Sequence, residues 1–516
     1  MTVVSAVQPI DYAAIGAPLG LALLAIGVLV LDLFLPARRS ILAVWAALAG
    51  IVVAFFYTAL VLAGESRATF CVPGGCSYAV EPWTTVLQLL VLGAAAVVLL
   101  LSATVVHESR LPAGEYAFLL LCSVTGALVL AASRDLVIVV VALEVVSLPV
   151  FALVGLRRRD GRSSEAALKL FLVSVVSTAV MLFGISLVYA VRGTLLLGVP
   201  GVGADPLVGD AADALEGVGV VLVLAGFAFK ISAVPFHAWA PDTYVGAPLP
   251  IAAYLSVVSK SAGFAGLLVV LSVGFRDQVS VWGPVLAVVA ALTMSLGNLV
   301  ALRQRAAVRL LAWSSIAQAG YMLAPLGGLG SAGSPVPGEL FDDAVAATVA
   351  YVCIYAVMTL GAFSVVAVVG RRRPRNLLTD YRGMAWTDPW AAGALAFALA
   401  CLAGVPPGIV GLFAKVVVFR SVVDAGAGWL AVVMAVNTVV ALYYYLVWAA
   451  ALFARQPEEV GEAAPRPAGP PSQAGAAGWP ARLAVGLTTA IVVVWSVAPQ
   501  LVLAVRETLG NSAPPV

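Results

Sequence analysis

The chain has 516 residues, of which 62% are hydrophobic and 10% charged, with a formal net charge of +2. A soluble domain carries roughly 25% charged residues, and a mean hydropathy of +1.06 belongs to a protein that crosses a membrane many times. The near-neutral charge and the absence of a basic patch with interleaved aromatics leave no reading as a nucleic-acid binder.

A spanning helix needs about 20 apolar residues, and by that rule the sequence predicts about fourteen spans. Spans 1 to 3 run Ala13–Leu35, Ile41–Ala63 and Trp83–Val106. The N-terminus, MTVVSAVQPIDY, lacks the positive flank of a secretory signal, so span 1 is expected to stay. Spans 4 to 8 run Glu115–Ser133, Leu136–Leu156, Glu165–Val191, Val218–Trp239 and Ala247–Phe275. Spans 9 to 13 run Val281–Leu302, Val308–Leu326, Ala344–Val369, Pro389–Arg420 and Trp429–Ala454, and span 14 is Ala481–Val505. Gln456–Trp479, rich in Pro, Ala, Gly and Glu, reads as a solvated linker. The expected fold is an all-α polytopic membrane protein.

Cytoplasmic loops collect Lys and Arg. Odd-numbered loops hold Arg38–Arg39, Arg157–Arg159 with Arg162, then Arg303, Arg305 and Arg309, and the run Arg371–Arg375. Even-numbered loops hold Asp205, Asp210, Asp213, Glu216, Glu339, Asp342 and Asp343. The odd loops are therefore expected to face the cytoplasm and both termini the outside. Five cysteines are present, without the spacing of a metal or iron–sulfur site. Cys122, Cys353 and Cys401 read as packing residues. Cys71 and Cys76 flank a VPGG turn on the outer side, where a disulfide and a free pair are both open readings.

Spans 7 and 12 are interrupted in related ways. Span 7 carries Lys230 and then Pro235, and span 12 carries Pro406, Pro407 and Gly408 before Lys415. An odd number of spans separates them, so they cross in opposite directions, as in an inverted repeat. Spans 4–8 and 9–13 are the expected halves. The division is then residues 1–114 for spans 1–3, 115–275 for the first repeat, 281–454 for the second, 455–480 for the linker and 481–516 for span 14 with its tail.

Charges near the centre of a bilayer are costly and mark ion or proton routes. Glu144 lies about nine residues into span 5, roughly 13 Å deep at about 1.5 Å per residue, and Lys230 lies about thirteen residues into span 7. Burial disfavours the charged form of either residue, so such a pair can exchange between charged and neutral states when a third charge or water arrives. A static ion pair between helices is the plainer role. Pro149 and Pro235 each follow one of these charges by five residues, removing a backbone hydrogen bond nearby; the freed carbonyls can hold water. His237 stands two turns after Lys230 on the same helical face. Its ordinary pKa of about 6.5 suits proton passage, and a helix cap is the alternative. Lys260, among small and hydroxyl neighbours in AAYLSVVSKSAGF, and Lys415, in GIVGLFAKVVVF, complete the row. Lys169 is expected to snorkel to the surface, and Asp242 and Tyr244 to pin a loop after the break. Tyr443, Tyr444 and Tyr445 are expected to face a packing partner or the interface.

These residues carry a resemblance. The stretch FKISAVPFHAWAPDTYVGAPLPIAAYLSVVSKSAGF closely resembles the core of the antiporter-like membrane subunit N of bacterial NADH-quinone oxidoreductase, respiratory complex I. EAALKLFLVSVVSTAVMLFGISLVYAVRGT, RLLAWSSIAQAGYML, YAVMTLGAFSVV, LLTDYRGMAWTDPW and LAGVPPGIVGLFAKVVVF resemble its other segments, so the likeness covers spans 4 to 13. The first three spans are matched only in number and hydrophobicity. DTYVGAP looks like subunit N rather than its relatives L and M or the cation/proton antiporter subunits. The resemblance implies that Glu144 is the family's span-5 glutamate, paired with Lys230 of the first broken span. Lys260 is then the central lysine, Lys415 the lysine of the second broken span, and His237 the histidine of VPFH. Where the family usually has histidine, this chain has Gln318, which holds water but takes no proton near neutral pH.

The resemblance further implies proton translocation in the bacterial plasma membrane, beside subunit M and the small membrane subunits. NADH, flavin, iron–sulfur clusters and quinone are expected in partner subunits, with no cofactor or metal bound by this chain. Glu144 and Lys230 would separate or re-pair, shifting the proton affinity of Lys260, and protons would leave near Lys415. Other classes compete: a cation/proton antiporter subunit, which DTYVGAP disfavours; a structural membrane-arm subunit, which would tolerate neutralised Lys230; and a stand-alone transporter of an anionic solute, which would work without partners.

Overall fold

The computed structural model describes residues 8–36, 39–62, 65–72, 74–109, 111–157, 160–199, 209–333, 335–455 and 478–500. The predicted linker, apart from its ends, lies outside these residues, as do Arg38, Arg158, Arg159, Asp205 and the end of span 14.

Helices dominate. The first six are α1 Tyr12–Phe34, α2 Ile41–Leu62, α3 Pro82–Glu108, α4 Ala113–Ala131, α5 Leu136–Val154 and α6 Gly161–Arg192. The break region comprises α7 Asp210–Lys230 and the short α8 Trp239–Gly246. Then come α9 Leu249–Gly274, α10 Val279–Ala301, α11 Ala307–Gly328 and α12 Gly338–Arg372. The last are α13 Pro389–Ala403, α14 Ile409–Asp424, α15 Gly428–Phe453 and α16 Trp479–Val497. Twelve of the described helices are long and apolar enough to cross a membrane. The less apolar α11 and the α13–α14 pair account for the other two predicted spans. Span 12 is two helices because the chain leaves helical geometry between Gly404 and Gly408.

Asp supplies several helix starts. Asp11 accepts from the Ala13 and Ala14 amides, Asp135 from Val137 and Ile138, and Asp160 from Arg162, satisfying amides that lack a helical partner. Between α2 and α3 lies a two-stranded antiparallel hairpin, β1 Arg67–Val72 and β2 Gly75–Val80, in which Cys71 faces Cys76. These cysteines form a disulfide.

α9 and α12 are buried along almost their whole length and form the centre of the molecule. Peripheral helices turn apolar side chains outward, as Leu23, Val53, Phe183 and Val439 do. Lipid and neighbouring membrane subunits suit such a surface, since each removes it from water. Small residues bring helices together. A Cβ on Gly297 of α10 would lie 2.6 Å from the Ala317 amide nitrogen of α11, and one on Gly184 of α6 would lie 2.6 Å from the Gly219 carbonyl of α7.

Candidate functional site

Lys230, Lys260 and Lys415 are 6%, 2% and 4% exposed, so each ammonium depends on protein partners. Each finds hydroxyls or carbonyls rather than a carboxylate. Lys230 is the last residue of α7, and its Nζ donates to Ser147 Oγ of α5 at 2.8 Å. Ser147 in turn donates to the Leu143 carbonyl at 2.6 Å. The Lys230 stem packs on α9 where side chains are missing: a Cβ on Gly263 would lie 2.9 Å from Lys230 Cγ. A cavity of about 10 Å³ lies among Ser147, Lys230, Trp239 and Ser259, at the lower limit for one water.

Glu144 is half-buried on α5 and accepts from Thr178 Oγ1 of α6 at 2.5 Å. Among the described residues it forms no ion pair with Lys230 within 4.0 Å. The expected pairing is therefore not a direct contact: Thr178 engages the carboxylate and Ser147 engages the ammonium. Val141, Val145 and Leu148 beside Glu144 are exposed, so the carboxylate lies near the flank of the molecule.

α9 contains a π-helical turn, Leu255–Ser259, directly before Lys260; such turns recur at functional sites. Lys260 Nζ donates to the Ser315 carbonyl and to Ser315 Oγ, both at 2.6 Å. Tyr355 Oη of α12 donates to the same Ser315 Oγ at 2.8 Å. Lys415 Nζ donates to the carbonyl of Ala403 at 2.7 Å. Ala403 ends α13, where carbonyls are unpaired and the helix dipole is negative. Gly404 follows with φ +79°, and a Cβ there would lie 3.2 Å from Lys415 Cδ. The Lys415 ammonium also lies 5.8 Å from the Tyr321 ring centroid.

Between Lys260 and Lys415 lies a buried polar cluster, of which the sequence pointed to Gln318, Tyr444 and Tyr445 but not to Ser314, Tyr321 or Tyr351. Tyr321 stacks on Tyr351 at 6.2 Å. Tyr351 Oη donates to Gln318 Oε1 at 2.6 Å, and Gln318 Nε2 donates to Tyr445 Oη at 3.4 Å. Tyr445 shares a hydrogen bond with Ser314, the neighbour of Ser315. Tyr444 donates to Asn298 Oδ1 at 3.0 Å. Gln318 therefore joins two tyrosines with fixed polarity. Of the three consecutive tyrosines, Tyr444 and Tyr445 meet packing partners in this interior, and Tyr443 is 63% exposed on the outer surface, which agrees with the expectation of a packing partner or the interface. The SS dipeptide of AWSSIAQAGY was the available signal.

His237 corrects a helical argument. α7 stops at Lys230, and residues 231–238 are not helical, so the two-turn spacing does not put His237 on one face with Lys230. Pro235 has no amide to continue the helix, and the Val234 amide is instead taken by Thr293 Oγ1 at 3.0 Å. The His237 ring lies 5.5 Å from Trp313 of α11, and its Nδ1 has no partner among the described residues. Asp242 and Tyr244 lie on α8, not in a loop. Asp242 pairs with Lys169 of α6 at 2.9 Å and with Arg309 of α11 at 3.2 Å, pinning α8 between them. Lys169 also pairs with Glu165 at 2.7 Å, so its half-exposed ammonium is engaged by carboxylates.

Residues 133–441 match the profile of the NADH:quinone oxidoreductase/Mrp antiporter transmembrane family. NADH-quinone oxidoreductase subunit N 2 of Streptomyces griseus subsp. griseus is 55% identical over 510 residues, 97% of this chain and 94% of that one. Subunit N of Salinispora tropica is 47% identical over 454 residues, 87% and 86% of the two chains. A chain of respiratory complex I from Thermus thermophilus with bound aureothin superposes with a TM-score of 0.75 at 33% identity, covering 95% of this chain and 98% of that one. A chain of the Mrp complex from Dietzia sp. DQ12-45-1b, at 22% identity and a TM-score of 0.77 over 96% of each chain, shares the fold. The chain belongs to the NADH:quinone oxidoreductase/Mrp antiporter membrane family, within its NADH-quinone oxidoreductase subunit N group.

Proposed function

We propose that this chain is a proton-translocating membrane-arm subunit of an NADH-quinone oxidoreductase, working through Glu144, Lys230, His237, Lys260 and Lys415. The observation that carries the reading is the row itself: three buried lysines with hydroxyl and carbonyl partners, and a cluster of buried hydroxyls and the Gln318 amide between Lys260 and Lys415 that meets Lys415 through the Tyr321 ring. Buried charges at membrane depth without carboxylate partners are expensive to keep for structure alone.

Oxidation of NADH and reduction of quinone take place in partner subunits. A change of charge or hydration at the flank reaches Glu144. The field at Lys230 changes, and its ammonium leaves or regains Ser147. At low dielectric such a step is felt by the next charge, so Lys260 gains or loses its proton. Hydroxyls of Ser315, Tyr355, Ser314 and Tyr445, with water, carry the proton toward Lys415. Gln318 holds Tyr351 and Tyr445 in place and takes no proton itself. His237, beside Trp313, serves the break of α7 and α8 as a side branch.

The same reading makes residues 115–275 and 281–454 inverted halves, each with a broken span. It puts the Arg-rich ends in the cytoplasm and the hairpin with its disulfide outside, together with both termini. Neighbours are the related subunit M, small membrane subunits and lipid, with Glu144 facing one of the protein partners. The test is Lys260→Ala in assembled complex, measured as NADH-driven proton uptake into inverted vesicles. Loss of uptake with normal subunit content supports the reading, and unchanged uptake rejects it.

A further inference from the structure

Residues 373–388, between α12 and α13, fold back onto the end of α15. Tyr381 is fully buried, with its ring 5.3 Å from that of Trp448. The Gly383 amide donates to the Ala451 carbonyl at 3.1 Å, and Trp386 Nε1 donates to the Phe453 carbonyl at 3.3 Å. The start of α13 and the end of α15 therefore form one edge. α15 is long and apolar enough to cross a membrane, so this edge lies at a membrane boundary. The arginine pattern of the sequence puts that boundary on the cytoplasmic side.

Large apolar groups are uncovered on this edge. Trp386, Trp390 and Phe453 are 69%, 61% and 53% exposed. Indole rings favour the headgroup level of a bilayer, where the ring meets lipid and the N–H finds an acceptor. The exposed charge around them has one sign. Arg382 precedes Gly383, Arg455 stands two residues after Phe453, and both are exposed. Arg372, Arg373 and Arg375 are exposed on the same connection. The connection's two carboxylates are used as backbone acceptors. Asp380 Oδ2 accepts from the Leu377 amide at 2.8 Å, and Asp388 Oδ1 from the Ala391 amide at 3.3 Å. The edge is thus aromatic and positively charged.

We propose that Arg382 and Arg455, with Trp386, Trp390 and Phe453, hold an anionic phospholipid of the cytoplasmic leaflet. A guanidinium matches a phosphate with two parallel hydrogen bonds. Basic clusters beside membrane spans select anionic over neutral lipid, and the three aromatic side chains cover the upper part of the acyl chains. The lipid clips the start of α13 to the end of α15 from outside. α13 is 15 residues long, about 22 Å at about 1.5 Å per residue. Its far end presents the Ala403 carbonyl to Lys415. The lipid therefore steadies one end of the helix that holds this lysine, whether or not the lysine carries protons.

The test uses assembled complex reconstituted into vesicles of phosphatidylcholine mixed with phosphatidylglycerol. Trp390→p-benzoylphenylalanine is photolysed there and the adducts on this chain are identified by mass. The expected adduct is phosphatidylglycerol, enriched severalfold over its share of the vesicle lipid. In a chain that also carries Arg382→Gln and Arg455→Gln, the enrichment is expected to vanish while subunit content stays normal. Adducts in proportion to the vesicle lipid in the parent, or unchanged enrichment without the two arginines, overturn the site. So does an adduct to protein, either a neighbouring subunit or residues 456–477 of this chain.

Discussion

Lys230 Nζ donates to Ser147 Oγ at 2.8 Å, and Ser147 stands one helical turn beyond Glu144 on α5. A hydroxyl, not the carboxylate, is the first partner of this ammonium. Hydrogen bonds to charged groups contribute roughly 1.5–3 kcal/mol, and about 1.4 kcal/mol corresponds to a tenfold change in an equilibrium. Ser147→Ala is therefore expected to shift the Lys230 protonation balance about tenfold or more. NADH-driven proton uptake should fall while the complex still assembles. The comparison that checks it is the proton-to-electron ratio of the variant against Ser147→Thr, which keeps a hydroxyl.

Gly263 offers a steric handle on the same lysine. Gly263→Ala places a Cβ 2.9 Å from Lys230 Cγ and 3.0 Å from Ile231 Cγ2, whereas one on Gly266 meets Leu130 and Phe227 at 2.8 Å. Both substitutions overpack the core, a cost of about 1–3 kcal/mol. Only Gly263→Ala is expected to lower proton uptake per electron. Thermal stability and pumping measured on both variants separate packing from displacement of the lysine.

Gln318 is expected to organise rather than titrate. Gln318→Leu leaves the buried Tyr351 hydroxyl without its acceptor, a cost of about 1–3 kcal/mol. The assembled complex should melt earlier and pump more slowly. Its pH profile should keep the parent shape, because no titrating group is lost. A displaced pH optimum would show that the amide does more than hold two tyrosines.

The hairpin tests orientation. Cys71 is exposed at the end of β1 and is bonded to Cys76. After mild reduction, a membrane-impermeant thiol reagent is expected to label these two cysteines from the outside of intact cells and not from the outer face of inverted vesicles. The reverse pattern would invert the proposed topology, with the arginine-rich ends outside.

The sequence made the fold legible where hydrophobicity alone decides it. Most long apolar runs became helices near their expected bounds, although the span expected at Val218–Trp239 is a helix over Asp210–Lys230, and Pro235 and Pro406–Pro407 marked both breaks. Lys230, Lys260 and Lys415 stood out because a charge in an apolar run has few explanations. What was not legible is what those charges touch. Ser147, Thr178, Ser315 and Tyr355 are common residues in membrane helices, and only the three-dimensional packing brings their hydroxyls to an ammonium or carboxylate. His237 shows the opposite error: helical spacing has meaning only inside a helix, and α7 ends before reaching it. Asp242 was read as a loop pin, which understated it, because Lys169 and Arg309 come from helices far apart in sequence.

The central claim is that the buried row moves protons. Lys230→Ala in assembled complex, with NADH oxidation and proton uptake into inverted vesicles measured together, tests it most directly. The account predicts loss of uptake per electron, with subunit content unchanged. An assembled complex that pumps at the parent's proton-to-electron ratio would contradict it and leave the charged row a structural feature.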